Sequence, residues 1–175
     1  MTKYVAFLRA INVGGHTLKM DHLRSLFDAM NFSHVETFIA SGNVIFETKT
    51  AKVTNLEKKI AAHLEESLGF AVDTFIRTLE EVKEIDSKCP FEAQKKDDLI
   101  YVSFLHEPLS AEKTDVLMAI KNKFNDFAVI GNEIYWLRLN RDESIFLKSS
   151  LEKILKVSTT NRNISTIRNI IEKFK

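Results

Sequence analysis

Hydrophobic and polar positions along the chain fall into blocks that alternate between strand-like and helix-like periods. Tyr4 to Arg9 (YVAFLR) is β-rich, and both alternating sets, Tyr4/Ala6/Leu8 and Val5/Phe7, are apolar. That pattern predicts a strand buried on both faces. After a glycine pair, Met20, Leu23, Phe27 and Met30 recur at helical spacing beside Leu26, with Asp21 in the first turn where its charge suits the helix dipole. His34 to Thr48 (HVETFIASGNVIFET) holds two β-rich runs around Ser41-Gly42-Asn43, which predicts a β-hairpin. Val53, Leu56, Ile60, Leu64 and Leu68 predict a second amphipathic helix stopped at Gly69, and Phe70 to Arg77 (FAVDTFIR) a fourth strand.

The resulting β-α-β-β-α-β order is the split β-α-β arrangement of a ferredoxin-like domain. Its first and second strands run parallel with the third inserted antiparallel between them. The hairpin then turns where the first strand ends. Asn12, Gly14 and Gly15 are thereby expected on one rim with Ser41, Gly42 and Asn43, and Arg77 at the opposite rim.

Thr78 to Pro90 reads as a connector. Thr78 and Glu81 form a capping-box pair, followed by an apolar stripe at Val82 and Ile85; Glu92 to Asp98 (EAQKKDD) reads as exposed. A strand at Leu99–Leu105, a helix marked by Val116, Leu117, Ile120 and Phe124, and a hairpin around Gly131-Asn132 follow. Phe146, Leu147, Leu151, Ile154 and Leu155 mark another helix, and Ile164, Ile167, Ile171 and Phe174 a terminal one. The order β-α-β-β-α recurs without a visible residue-level repeat. The expectation is an α+β protein of two ferredoxin-like β-α-β-β-α(-β) units packed together with an extra C-terminal helix. Residues 1–77 form the first, 78–98 the connector and 99–175 the second.

Composition narrows the function classes. Hydrophobic residues at 45% and charged residues at 28% describe a globular chain rather than a disordered one. With 25 Lys and Arg against 24 Asp and Glu, the formal net charge is +1, which argues against constitutive nucleic-acid binding. The single cysteine, Cys89, excludes an intrachain disulfide framework and a thiolate metal cluster. The N-terminal apolar stretch is too short, and too interrupted by Arg9, for a signal peptide, and no run reaches membrane-spanning length. A cytoplasmic location with no membrane partner is expected.

Three stretches carry candidate chemistry. INVGGHTLKM lacks the dinucleotide and P-loop glycine patterns. Its glycine turn between strand and helix still offers backbone N–H groups to an anion, with Arg9 and Lys19 adding charge. The alternative is that the glycines only supply positive φ. Ser41-Gly42-Asn43 serves equally as a plain turn. Ser158 to Thr166 (STTNRNIST) gathers Thr160, Arg162, Asn163 and Thr166 ahead of the terminal helix. Thr160 or Asn161 would cap that helix, while Arg162 suits bidentate binding of a carboxylate or phosphate.

The five histidines show no metal-ligand spacing, and no nucleophile elbow or paired acid–base carboxylates stand out. No metal site is expected. Whether the chain is an enzyme, which cofactor it would use and whether it forms a homodimer are left open.

In combination these stretches resemble the largely bacterial family called domain of unknown function 1697. Its pattern runs L-R-G-I-N-V-G-G, a basic residue and Met, S-G-N-V-x-F, and T-x-R-N-x-x-T. Here these read LRAINVGG (Leu8–Gly15), Lys19-Met20, SGNVIF (Ser41–Phe46) and TNRNIST (Thr160–Thr166). Ala10 stands where the family usually has glycine, and Ile164 where an aromatic is frequent. The resemblance implies an α+β fold with ferredoxin-like parts and no established activity. The site expected from the residues comprises Arg9, Asn12, Gly14, Gly15, Lys19, Ser41, Gly42, Asn43, Thr160, Arg162, Asn163 and Thr166, binding a small polar or anionic ligand. The alternatives are single-stranded nucleic-acid binding, with Phe7 and Phe46 as stacking surfaces, and motifs that only lock the two halves.

Overall fold

The computed structural model describes residues 1–12, 14–49, 51–139 and 150–175, which divide into two compact units, Met1–Glu84 and Ile85–Phe174. The first contains β1 (Thr2–Leu8), α1 (Met20–Asp28), β2 (Ser33–Phe38), β3 (Asn43–Thr48), α2 (Val53–Leu68) and β4 (Thr74–Thr78). Its sheet has the order β2-β3-β1-β4, with β3 antiparallel to both β1 and β2. This is the strand order that the split β-α-β reading requires.

Tyr4, Ala6, Leu8, Val44 and Phe46 on one face of this sheet join Leu23 and Phe27 of α1 and Leu56, Ile60 and Leu64 of α2 in one apolar cluster. Val5, Phe7, Ile45 and Phe75 alternate with them and are just as buried. The doubly apolar pattern of β1 therefore marks a strand covered on both sides.

The helix α3 (Leu79–Ser87) follows β4 directly. Its capping box forms as the sequence predicts: the Glu81 N–H donates to Thr78 Oγ1 at 3.1 Å, and Glu81 Oε2 accepts from the Thr78 N–H at 2.7 Å. The boundary between the two compact units falls inside this helix.

The second unit contains β5 (Leu99–Phe104), α4 (Ala111–Ala119), β6 (Asn125–Ile130), β7 (Glu133–Arg138), α5 (Leu151–Leu155), β8 (Thr160–Asn163) and α6 (Ile164–Phe174). Its sheet order, β6-β7-β5-β8, repeats that of the first unit strand for strand. The fourth strand corrects the sequence reading. Thr160–Asn163, read from the sequence as a cap or binding cluster ahead of the terminal helix, is a strand antiparallel to β5, with Val102 opposite Arg162.

Other differences are smaller. The helix α4 ends at Ala119, so Ile120 and Phe124 lie beyond it, and Val116 is exposed while Leu117 is buried. In α6 it is Ile170 rather than Ile171 that completes the buried stripe. Asp98 is buried because its carboxylate accepts the N–H groups of Gln94 and Lys95. Phe146 and Leu147, expected in a helix, lie outside the described residues.

On two of the edge strands, β4 and β6, acidic and amide residues take up backbone N–H groups. Along β4 the N–H groups of Thr74, Ile76 and Thr78 donate to Asp73, Glu57 and Glu81. At β6, Asn125 exchanges backbone bonds with Asn122, and the Phe127 N–H donates to Asp126. Such groups would otherwise template association with another chain. Glu57 reaches Ile76 from α2 at 3.0 Å and is itself buried. Glu57→Ala strands a buried N–H and is expected to cost about 1–3 kcal/mol. In urea unfolding this reads as a lower midpoint at constant slope, and Glu57→Gln, which keeps an acceptor, is expected to lose less.

Candidate functional site

The rim of the first unit is built where β1 ends against the turn of the β2–β3 hairpin. The Leu8 N–H donates to the Gly42 carbonyl at 2.8 Å, and the Arg9 N–H to the Asp73 carbonyl at 2.9 Å. This holds the chain at Leu8 and Arg9 between the hairpin turn on one side and the entry to β4 on the other. Gly42 is demanded twice: its φ is +76°, and an added Cβ would lie 2.6 Å from Ile11 Cγ2 and 3.2 Å from Leu8 Cβ. Both neighbours are core side chains with no room to retreat.

Two asparagines fasten this junction. Asn12 Nδ2 donates to the Ala40 carbonyl at 2.9 Å, and Asn12 Oδ1 accepts the Leu18 N–H at 2.6 Å. One side chain therefore ties the loop of residues 9–19 to the hairpin and closes the loop on itself. Asn43, fully buried, donates from Nδ2 to the Phe38 carbonyl and to Ser41 Oγ, each at 2.9 Å. The sequence places these two amides in contact with a ligand. The structure occupies them with backbone, as buried or half-buried amides require.

The remaining residues of this rim are more exposed. Gly14, Gly15, Lys19 and Ser41 are exposed, and Arg9 is half-buried. Added Cβ atoms on Gly14 and Gly15 would meet nothing within 4 Å, so their positive φ values of +69° and +89° account for these glycines without any packing demand. His16, on the same loop, stacks on Phe70 with centroids 4.0 Å apart.

The residues of the third motif act inside the second unit. Asn163 caps α6, its Oδ1 accepting the Ser165 N–H at 2.9 Å, a role the sequence assigns to Thr160 or Asn161. Asn161 Oδ1 accepts from Ser103 Oγ across the β5–β8 pair. Thr160 and Arg162 are buried, Thr166 is half-buried, and Arg162 Nη1 donates to Thr160 Oγ1 at 2.9 Å and to the Asn161 carbonyl at 2.8 Å. Burial lowers the Arg162 pKa to about 10, which still leaves the guanidinium charged at neutral pH.

Burial likewise pushes the Cys89 thiol up, so it stays protonated rather than nucleophilic. Among the described residues no three His, Cys, Asp or Glu side chains are grouped to hold a metal ion, and no helix is long and apolar enough to cross a membrane.

A cleft of about 560 Å³ opens in the second unit, lined in part by Leu105, Ser110, Lys113, Lys156 and Val157. None of these was singled out as a site residue in the sequence. Its walls come from segments more than forty residues apart with no motif of their own, so only the topology brings them together.

Ala10 has φ +55°, which explains why glycine is usual at this place in the family that the sequence resembles. Gly42→Ala and Ala10→Gly are expected to act in opposite directions. The first adds left-handed strain and a clash with Ile11, lowering stability by about 2 kcal/mol or more. The second removes strain that outweighs the added freedom of the unfolded chain, raising stability by up to about 1 kcal/mol. Urea unfolding of both variants checks this; a Gly42→Ala protein as stable as the parent would contradict the geometry.

A family model described as "Protein of unknown function (DUF1697)" matches residues 1–135. The conserved bacterial protein SP0830 from Streptococcus pneumoniae is a solved structure of similar fold, with a TM-score of 0.78 and 22% identity over 99% of each chain. At that identity the likeness speaks for fold and not for activity. No curated protein matches the chain. The match over residues 1–135, well over half of the chain, places this chain in the family of unknown function 1697.

Proposed function

We propose that the first unit binds a small anionic ligand on its rim, with Arg9 and Lys19 supplying charge and the exposed backbone at Gly14 and Gly15 supplying N–H donors. The observation that carries this reading is the division of labour at the rim. Asn12 and Asn43 spend their amides on holding the loop and hairpin in place, and Lys19, Gly14 and Gly15 beside them are exposed, with Arg9 half-buried at the same rim. A loop fixed at both ends presents its donors with little ordering cost on binding. Ser41 contributes mainly through its bond to Asn43. Thr160, Arg162, Asn163 and Thr166 support their own unit in this reading and are not called on for the ligand.

A second reading, that the motifs are structural throughout, is favoured by one fact. Asn12, Asn43, Asn161 and Asn163 all bond to groups of their own unit. The nucleic-acid alternative loses its stacking surface, because Phe7 and Phe46 are both fully buried.

Titration of the ¹⁵N-labelled chain with inorganic phosphate separates the two remaining readings. Ligand binding predicts saturable shifts at the Gly14, Gly15 and Lys19 amides that Arg9→Met and Lys19→Met weaken without lowering the melting temperature. A purely structural role predicts no saturable shift at these amides, and that result would overturn the proposal.

A further inference from the structure

The two units repeat one topology, so their loops can be matched position by position. The Leu8–Gly42 backbone bond of the first unit has its counterpart in the Leu105 N–H donating to the Asn132 carbonyl at 2.9 Å. Asn132 also donates from Nδ2 to the His106 carbonyl, at 3.5 Å. The helices before the last strands end alike as well. The α2 helix closes on Gly69 and α5 on Lys156, both in the left-handed region, at φ +77° and +51°. The residue after each cap is therefore equivalent: Phe70 in the first unit and Val157 in the second.

At this equivalent place the units differ. In the first, the loop after β1 folds His16 onto Phe70, with the rings nearly parallel at 19°. In the second, the smaller Val157 lines a cleft of about 560 Å³ together with Leu105, His106 and Leu109 from the loop after β5. That volume is within the range of small-molecule sites.

The walls of the cleft are of two kinds. Leu105, Leu109 and Val157 give it an apolar side, and Lys113 and Lys156, with the Ser110 hydroxyl, give it a cationic and hydrogen-bonding side. The Lys113 ammonium is held at 3.3 Å from the Lys156 carbonyl, which positions it and leaves it two further donors. Glu107 also lines the cleft, so its charged lining residues are two lysines and one glutamate beside His106.

From this we infer that the second unit carries a binding site of its own for a small organic anion. The anionic head sits on Lys113 and Lys156 and the apolar body against Leu105, Leu109 and Val157. The inference does not depend on the phosphate reading of the first unit, since the two sites share no residue.

The test uses the full ¹⁵N-labelled chain and hexanoate, with acetate and 1-hexanol as probes of the head and the body alone. Hexanoate is expected to shift the Ser110, Lys113 and Val157 amides saturably and to bind more tightly than either control. Lys113→Met and Lys156→Met, each folding with a parental melting curve, are expected to weaken hexanoate by about tenfold. Three outcomes would overturn the inference: hexanoate no tighter than acetate or hexanol, shifts confined to residues 9–19, or undiminished binding in both lysine variants.

Discussion

The rim of the first unit depends on a missing atom. Because Gly42 has no Cβ, the hairpin turn settles directly on Ile11 and Leu8, and the Leu8 N–H can reach the Gly42 carbonyl. That approach aligns the hairpin carbonyl of Ala40 with the Asn12 amide and brings the end of β1 into register with the start of β3. Any side chain at this position would push the turn outward and break the chain of bonds from Gly42 through Asn12 to Leu18. The second unit uses the same backbone bond at Leu105 and Asn132. There, Gly131 ahead of it provides the positive φ of the turn.

From that junction outward the structure separates two uses of polarity. Amides and carboxylates complete the fold: Asn12 and Asn43 at the rim, Glu57, Asp73 and Glu81 along β4, and Asn163 at the start of α6. Each accepts from or donates to a backbone group that has no partner in the regular ladder or helix. Lysines and glycines stand beyond them, facing water. The proposed sites of both units draw on this outer set, and their rigidity comes from the inner one.

Much of the fold was legible in the sequence. The doubly apolar β1, the two hairpins and the Thr78–Glu81 capping box all carry strong local signals, and the strand order follows from the element order alone. The strand β8 was not legible. Thr160-Asn161-Arg162-Asn163 has the composition of a turn or cap, and it extends only because β5 offers it a free edge and Asn161 bonds to Ser103. The phase of α4 was misleading for a related reason: apolar residues continue past Ala119, but the chain turns there toward Asn122 and Asn125. At the candidate rim the motif residues were identifiable, while their division into scaffold and outward-facing groups needed hydrogen-bond partners that composition does not contain. The second-unit cleft had little sequence signal: of its lining residues only Ser158 falls in a stretch that composition marks, and the topology brings the rest together.

Asn12 shapes the rim loop, bonding Ala40 of the hairpin through Nδ2 and Leu18 through Oδ1. Hydrogen exchange at the Leu18 amide measures this most directly, because that N–H donates to Asn12 Oδ1. Strong protection in the parent chain that is lost in Asn12→Ala, while the amides of β1 and β3 stay protected, is the predicted result. Equal protection of Leu18 in the two proteins would contradict it.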